Sequence, residues 1–94
     1  MSKVPLGRWL RYVAANIKRL RLKHGWTQEV LAEKAGMEVR YVQEIERAKT
    51  NMTLAILVDL ANALGVHPRV LLAEAEMKPA KPGRPPKKRA GGKR

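Results

Sequence analysis

Apolar side chains recur at helical spacing through most of the chain. Between Arg8 and His24, Trp9, Val13, Ile17 and Leu20 step by four, four and three residues, which places them on one face of a helix that Gly25 ends. Thr27 is suited to cap a second, short helix, TQEVLAEKA, in which Val30, Leu31, Ala32 and Ala35 are apolar before Gly36 closes it. A third helix is predicted from Glu38 to about Ala48, with Met37, Tyr41, Val42, Ile45 and Ala48 on one side and polar residues on the other. Thr53 caps a fourth, whose Leu54, Leu57, Leu60, Ala61 and Leu64 are expected to point inward and whose stop is Gly65. Pro68 suits the first turn of a fifth, carrying Val70, Leu71 and Leu72. No segment alternates with the period of a strand, and no two-residue hairpin turn joins such segments. The pattern predicts an all-α fold of five helices.

Charge divides the chain. The 94 residues carry a formal net charge of +12, and residues 77–94 hold eight basic side chains and no acid. That segment also contains Pro79, Pro82, Pro85, Pro86 and three glycines, and it cannot bury enough apolar surface to offset its ordering entropy. Residues 8–76 are therefore read as the folded domain and 77–94 as a disordered basic tail. The first 28 residues also lack any acid. Such an excess favours a polyanionic partner, with nucleic acid ahead of an anionic membrane surface and simple solubilising charge as the bland alternative.

Other chemistry finds little support. There is no cysteine, hence no disulfide, thiolate zinc site or cysteine nucleophile. His24 and His67 stand singly at predicted helix ends, and no acidic cluster, phosphate-cradling glycine loop or nucleophile motif accompanies them. The expectation is a non-enzymatic protein with no catalytic residues, cofactor or metal. No apolar run is long enough for a signal or membrane helix, so the chain is read as soluble and cytoplasmic, with no membrane partner.

Two short helices joined at Gly36, the second with an exposed polar face, follow the helix-turn-helix plan, in which the second helix enters the major groove. The face of that helix opposite its apolar side consists of Val39, Gln43 and Arg47, flanked by Arg40 and Glu44.

Over about residues 12–73 the chain resembles the Cro/cI-type (XRE-like, lambda-repressor-like) helix-turn-helix regulators. Ile17 and Leu20 before Gly25, then Thr27-Gln28-Glu29, Leu31-Ala32 and Gly36, are similar to that family's first two helices. Ile45-Glu46-Arg47, Asn51, Leu54, Leu57, Leu60-Ala61, Ala63-Leu64-Gly65-Val66 and Leu71-Leu72 continue in register. The resemblance implies that Glu38, Val39, Arg40, Gln43 and Glu44 face bases. Arg40 would pair with O6 and N7 of guanine, Gln43 with adenine and Val39 with a thymine methyl, while Glu44 would accept from a cytosine amine or orient Arg40. Gln28, at the start of the second helix, would reach a phosphate and brace the reading helix, and Arg47, Lys49 and Asn51 would grip the phosphate backbone. For each of these residues the alternative is an ordinary solvated surface. Arg21 and Glu46 match a partly buried ion pair found in some members, whose use is to orient the reading helix.

The chain departs from the family in three places. Ala48 stands where a glycine usually ends the third helix, so the helix is expected either to run on or to turn under strain. Met52 replaces a common proline. The first helix is long, and its Trp9 and Tyr12 have either core packing or a dimer interface as their use.

In the tail, Gly83-Arg84-Pro85 resembles the centre of an AT-hook, although Pro82 stands where an arginine is usual. Arg84, Lys87, Lys88 and Arg89 would lie in a minor groove, attract phosphates non-specifically, or only solubilise the chain. Together these readings point to a sequence-specific transcriptional regulator, a repressor acting as a homodimer on a palindromic operator in a bacterial nucleoid. The alternatives are an antitoxin-like or restriction-modification-controller-like autoregulator with a protein partner, and an architectural DNA-binding protein driven by its tail.

Overall fold

A computed structural model of the chain describes residues 3–75, and the basic segment 77–94, with Arg84, Lys87, Lys88 and Arg89, lies outside them. The described residues form five helices and no strand: α1 (Leu6–Lys23), α2 (Gln28–Ala35), α3 (Val39–Glu46), α4 (Leu54–Leu64) and α5 (Pro68–Leu71). Val13, Ile17 and Leu20 of α1, Leu31 of α2, Val42 and Ile45 of α3, Leu57, Leu60 and Leu64 of α4 and Leu71 of α5 meet in one buried cluster. Each such side chain, fully removed from water, contributes about 1.5–3 kcal/mol before entropy is counted, so this one cluster holds all five helices in place.

The predicted threonine caps form. Thr27 Oγ1 accepts from the Val30 N–H at 3.1 Å, and Thr53 Oγ1 from the Ile56 N–H at 3.2 Å. His67 starts α5, its Nδ1 accepting from the Arg69 N–H at 3.0 Å. His24 stacks on Trp26 and its Nε2 donates to the Leu64 carbonyl at 3.0 Å, fastening the α1–α2 turn to the end of α4.

Three expectations are corrected. Leu54 does not point inward: the Thr53 cap sets it in the first turn of α4, beyond the core, where it is 72% exposed and Leu57, Leu60, Ala61 and Leu64 do the burying. Helix α1 begins at Leu6 rather than Arg8, with the Pro5 carbonyl accepting from the N–H groups of Arg8 and Trp9. Its first turns overrun the rest of the domain, so Trp9 remains 39% exposed and packs edge-on against Tyr12, which is buried. The third helix stops at Glu46, two residues short of Ala48.

That stop has the same form as three others. After α1, α2, α3 and α4 a backbone N–H reaches back five residues: Trp26 to Arg21, Met37 to Ala32, Lys49 to Glu44 and Val66 to Ala61. The preceding N–H reaches back three, completing a Schellman motif in each case. The residue at the turn adopts a left-handed conformation, and it is Gly25, Gly36 and Gly65 in three motifs but Ala48, at φ +58, in the fourth. Of the two outcomes open at Ala48, the turn under strain is the one adopted.

Candidate nucleic-acid interface

The two short helices α2 and α3 are joined through Gly36, whose φ of +73 an L side chain seldom adopts. From there α3 lies with Val42 and Ile45 in the core, which turns the opposite side of the helix outward.

The C-terminal end of α3 is held by a buried polar cluster. Arg21 of α1 donates from Nε to Glu46 Oε2 at 2.7 Å and from Nη2 to Glu46 Oε1 at 3.1 Å, while its Nη1 donates to the Trp26 carbonyl at 2.8 Å. Gln28, the first residue of α2, donates from Nε2 to Glu46 Oε1 at 3.0 Å. A two-pronged guanidinium–carboxylate pair tolerates little rotation of either partner. Three chain segments therefore fix the position and roll of α3. The arginine–glutamate pair expected from the resemblance is present, and Gln28 braces α3 through Glu46.

The outward side of α3 carries the expected residues in differing degrees. Glu38, the N-cap, and Arg40 are exposed, and Gln43 and Glu44 are half-buried. Val39 is half-buried against the core cluster, which limits the surface it can offer. Among the described residues the only ion pair is Arg21–Glu46, so Arg40 and Glu44 are not joined by one. Glu38, Arg40, Tyr41 and Glu44 line an open cleft of about 410 Å³. Tyr41, assigned from periodicity to the inner face, is half-buried and sits at this edge, so its ring serves both the core and the cleft. Its phenol is the signal that it belongs to the site as well.

Arg47 caps the end of α3, and Lys49 and Asn51 follow in the loop to α4; all three are exposed. The surface thus has two parts: polar side chains on a rigidly held helix, and a basic loop beside it. The first can make directional bonds to base edges, and the second can meet phosphates.

The profile of the helix-turn-helix family matches residues 17–71. The chain belongs to this family of Cro/cI-type DNA-binding transcription regulators. It is 38% identical over 66 residues to a hypothetical transcription factor of Neisseria meningitidis serogroup B, an alignment covering 69% of this chain and 62% of the relative, which is less than two thirds of its length. To the control protein C.SmaI of Serratia marcescens it is 35% identical over 66 residues, 70% of this chain and 79% of the other. Its fold matches that of the restriction-modification controller C.Esp1396I, solved as a tetramer in complex with its natural 35 base-pair operator, with a TM-score of 0.63 and 36% identity over 67% of this chain and 83% of that one. No helix among the described residues is long and apolar enough to cross a membrane.

Proposed function

We propose that this helix-turn-helix regulator reads a palindromic operator as a homodimer and represses transcription from it, acting in the cytoplasm. The observation that carries this reading is the exposed Arg40 on a helix whose far end is clamped by the Arg21–Glu46–Gln28 cluster. An arginine carried on a helix of fixed position and roll can form two bonds to guanine, whereas one on a mobile helix would lose that discrimination to entropy. Glu38, Val39, Gln43 and Glu44 complete the base-facing set. Gln28, Arg47, Lys49 and Asn51 contact phosphates, and the tail cations, Arg84, Lys87, Lys88 and Arg89, add affinity. Two-fold symmetry would set the reading helices of two copies about 34–36 Å apart, one turn of duplex.

A second reading, a controller that regulates its own operon, is favoured by the likeness to the control proteins C.SmaI and C.Esp1396I. Selection of duplexes by the full chain from a random pool tests the proposal, together with the mass of the resulting complex. The expected outcome is a palindromic consensus with half-sites about ten base pairs apart, bound by two copies. Recovery of unrelated duplexes would overturn it. Enrichment of DNA from upstream of the chain's own gene would favour the controller reading.

A further inference from the structure

The outer side of α1 carries a row of cations that the reading helix does not use. Arg8, Arg11, Lys18 and Arg19, with Ala15 and Leu22 between and beyond them, share one face of the helix, and all four charged residues are exposed. The buried face of α1, with Val13, Ile17 and Leu20, lies opposite, and Arg21 is turned toward α3. Apart from the bond from Arg19 to the Asn16 side chain, the row lies away from the contacts α1 makes with the other helices.

In the free protein this row opposes the helix that carries it. No acid stands in the first turn of α1, and Arg8 lies there, where the positive end of the helix dipole disfavours a cation. Arg8 and Arg11 are neighbours of like charge on the helix surface, an arrangement that destabilises it. Among the described residues no carboxylate compensates any of the four, since the only ion pair is Arg21–Glu46. Arg19 donates to the Asn16 side chain at 3.3 Å, a neutral partner that leaves its charge uncancelled. A surface that serves only solubility usually mixes signs; this one does not.

We propose that the outer face of α1 is a second, sequence-independent DNA-binding surface that holds duplex phosphates through Arg8, Arg11, Lys18 and Arg19. From Arg8 to Arg19 the helix rises about 16 Å, the axial length of about five nucleotides of one strand. Duplex DNA is favoured over an anionic membrane because a helix lying in a membrane surface inserts a continuous apolar face, and the middle of that face in α1, Val13, Ile17 and Leu20, is buried in the core, leaving only Leu6 and Trp9 in its first turns and Leu22 near its end exposed. The surface does not depend on α3 being the reader: it supplies affinity, and α3 supplies preference.

The test substitutes all four with glutamine (Arg8→Gln, Arg11→Gln, Lys18→Gln, Arg19→Gln) in the full chain, where exposure leaves the core untouched and circular dichroism checks the helix content. Binding to a random-sequence duplex and to DNA from upstream of the gene is measured from 50 to 200 mM salt. Four lost phosphate contacts lower the slope of log affinity against log salt by about 3.6 for each bound copy, so on a duplex holding one copy the wild type loses about 150-fold more affinity than the variant across that range. The preference for upstream over random DNA is expected to persist. A slope within one of the wild-type value, in a variant that is folded, overturns the proposal. So does an unchanged DNA slope accompanied by lost binding to vesicles rich in phosphatidylserine, which would assign the row to a membrane. Loss of upstream preference with an unchanged slope would likewise overturn it. Absence of preference in the wild type would count against α3 alone.

Discussion

Ala48→Gly is expected to stabilise the domain, and its magnitude follows from the four helix ends. Gly25, Gly36 and Gly65 occupy the left-handed turn position at φ +75, +73 and +74, and Ala48 occupies the same position at +58. A Cβ added at any of the three glycines would meet nothing within 4 Å, so the difference between alanine and glycine here is one of backbone conformation rather than of space. An L residue in the left-handed region costs about 1–2 kcal/mol. Glycine gives back about 0.4–1 kcal/mol through the greater entropy of its unfolded chain. The net gain is about 0.5–1 kcal/mol, or roughly 2–8 °C in Tm for a domain of this size. Thermal unfolding followed by circular dichroism and the urea midpoint both read this, with Gly65→Ala as the reverse substitution, expected to lower Tm by a similar amount. An Ala48→Gly chain that melts at or below the wild-type temperature, while Gly65→Ala melts lower, would refute strain at Ala48.

Two further substitutions probe the polar groups inside the domain. Glu46→Leu leaves the Arg21 guanidinium buried without its carboxylate and is expected to cost about 3–5 kcal/mol, whereas adding Arg21→Met to it recovers most of that loss; urea denaturation of the single and double variants measures the coupling, and a double variant no more stable than Glu46→Leu would contradict it. Asn16→Ala removes the amide that donates to the Leu71 carbonyl at 3.0 Å and the Ala73 carbonyl at 2.8 Å. It is expected to cost about 1–3 kcal/mol and to raise amide exchange in α5 first, and uniform exchange across all five helices would argue against that role.

Much of this arrangement is written in local chemistry. The threonine caps at Thr27 and Thr53, the stops at Gly25, Gly36 and Gly65 and the inward residues of α3 and α4 follow from rules that act within one or two turns of chain. Helical periodicity, however, reports the direction of a side chain and not whether anything lies in that direction. Trp9 and Leu54 point the right way from turns that extend past the core, and both remain exposed. Asn16 shows the converse. It falls on the inner face between Tyr12 and Leu20, yet its polarity hid it, and its partners are backbone carbonyls 55 and 57 residues away. The outward positions of Arg40 and Gln43 could be read from the sequence, while the bond from Gln28 to Glu46 needed the tertiary meeting of α2 with the end of α3.

The most direct test of α3 as the reader compares the full chain with its Arg40→Ala variant on DNA from upstream of the gene and on scrambled DNA of equal length, at one fixed salt concentration. Loss of one two-pronged guanine contact is expected to reduce the preference for upstream DNA by about 1–3 kcal/mol per half-site while affinity for scrambled DNA falls only slightly. A folded Arg40→Ala chain whose preference equals that of the wild type, or whose affinity drops equally on both DNAs, would contradict the assignment of Arg40 as a base-reading residue.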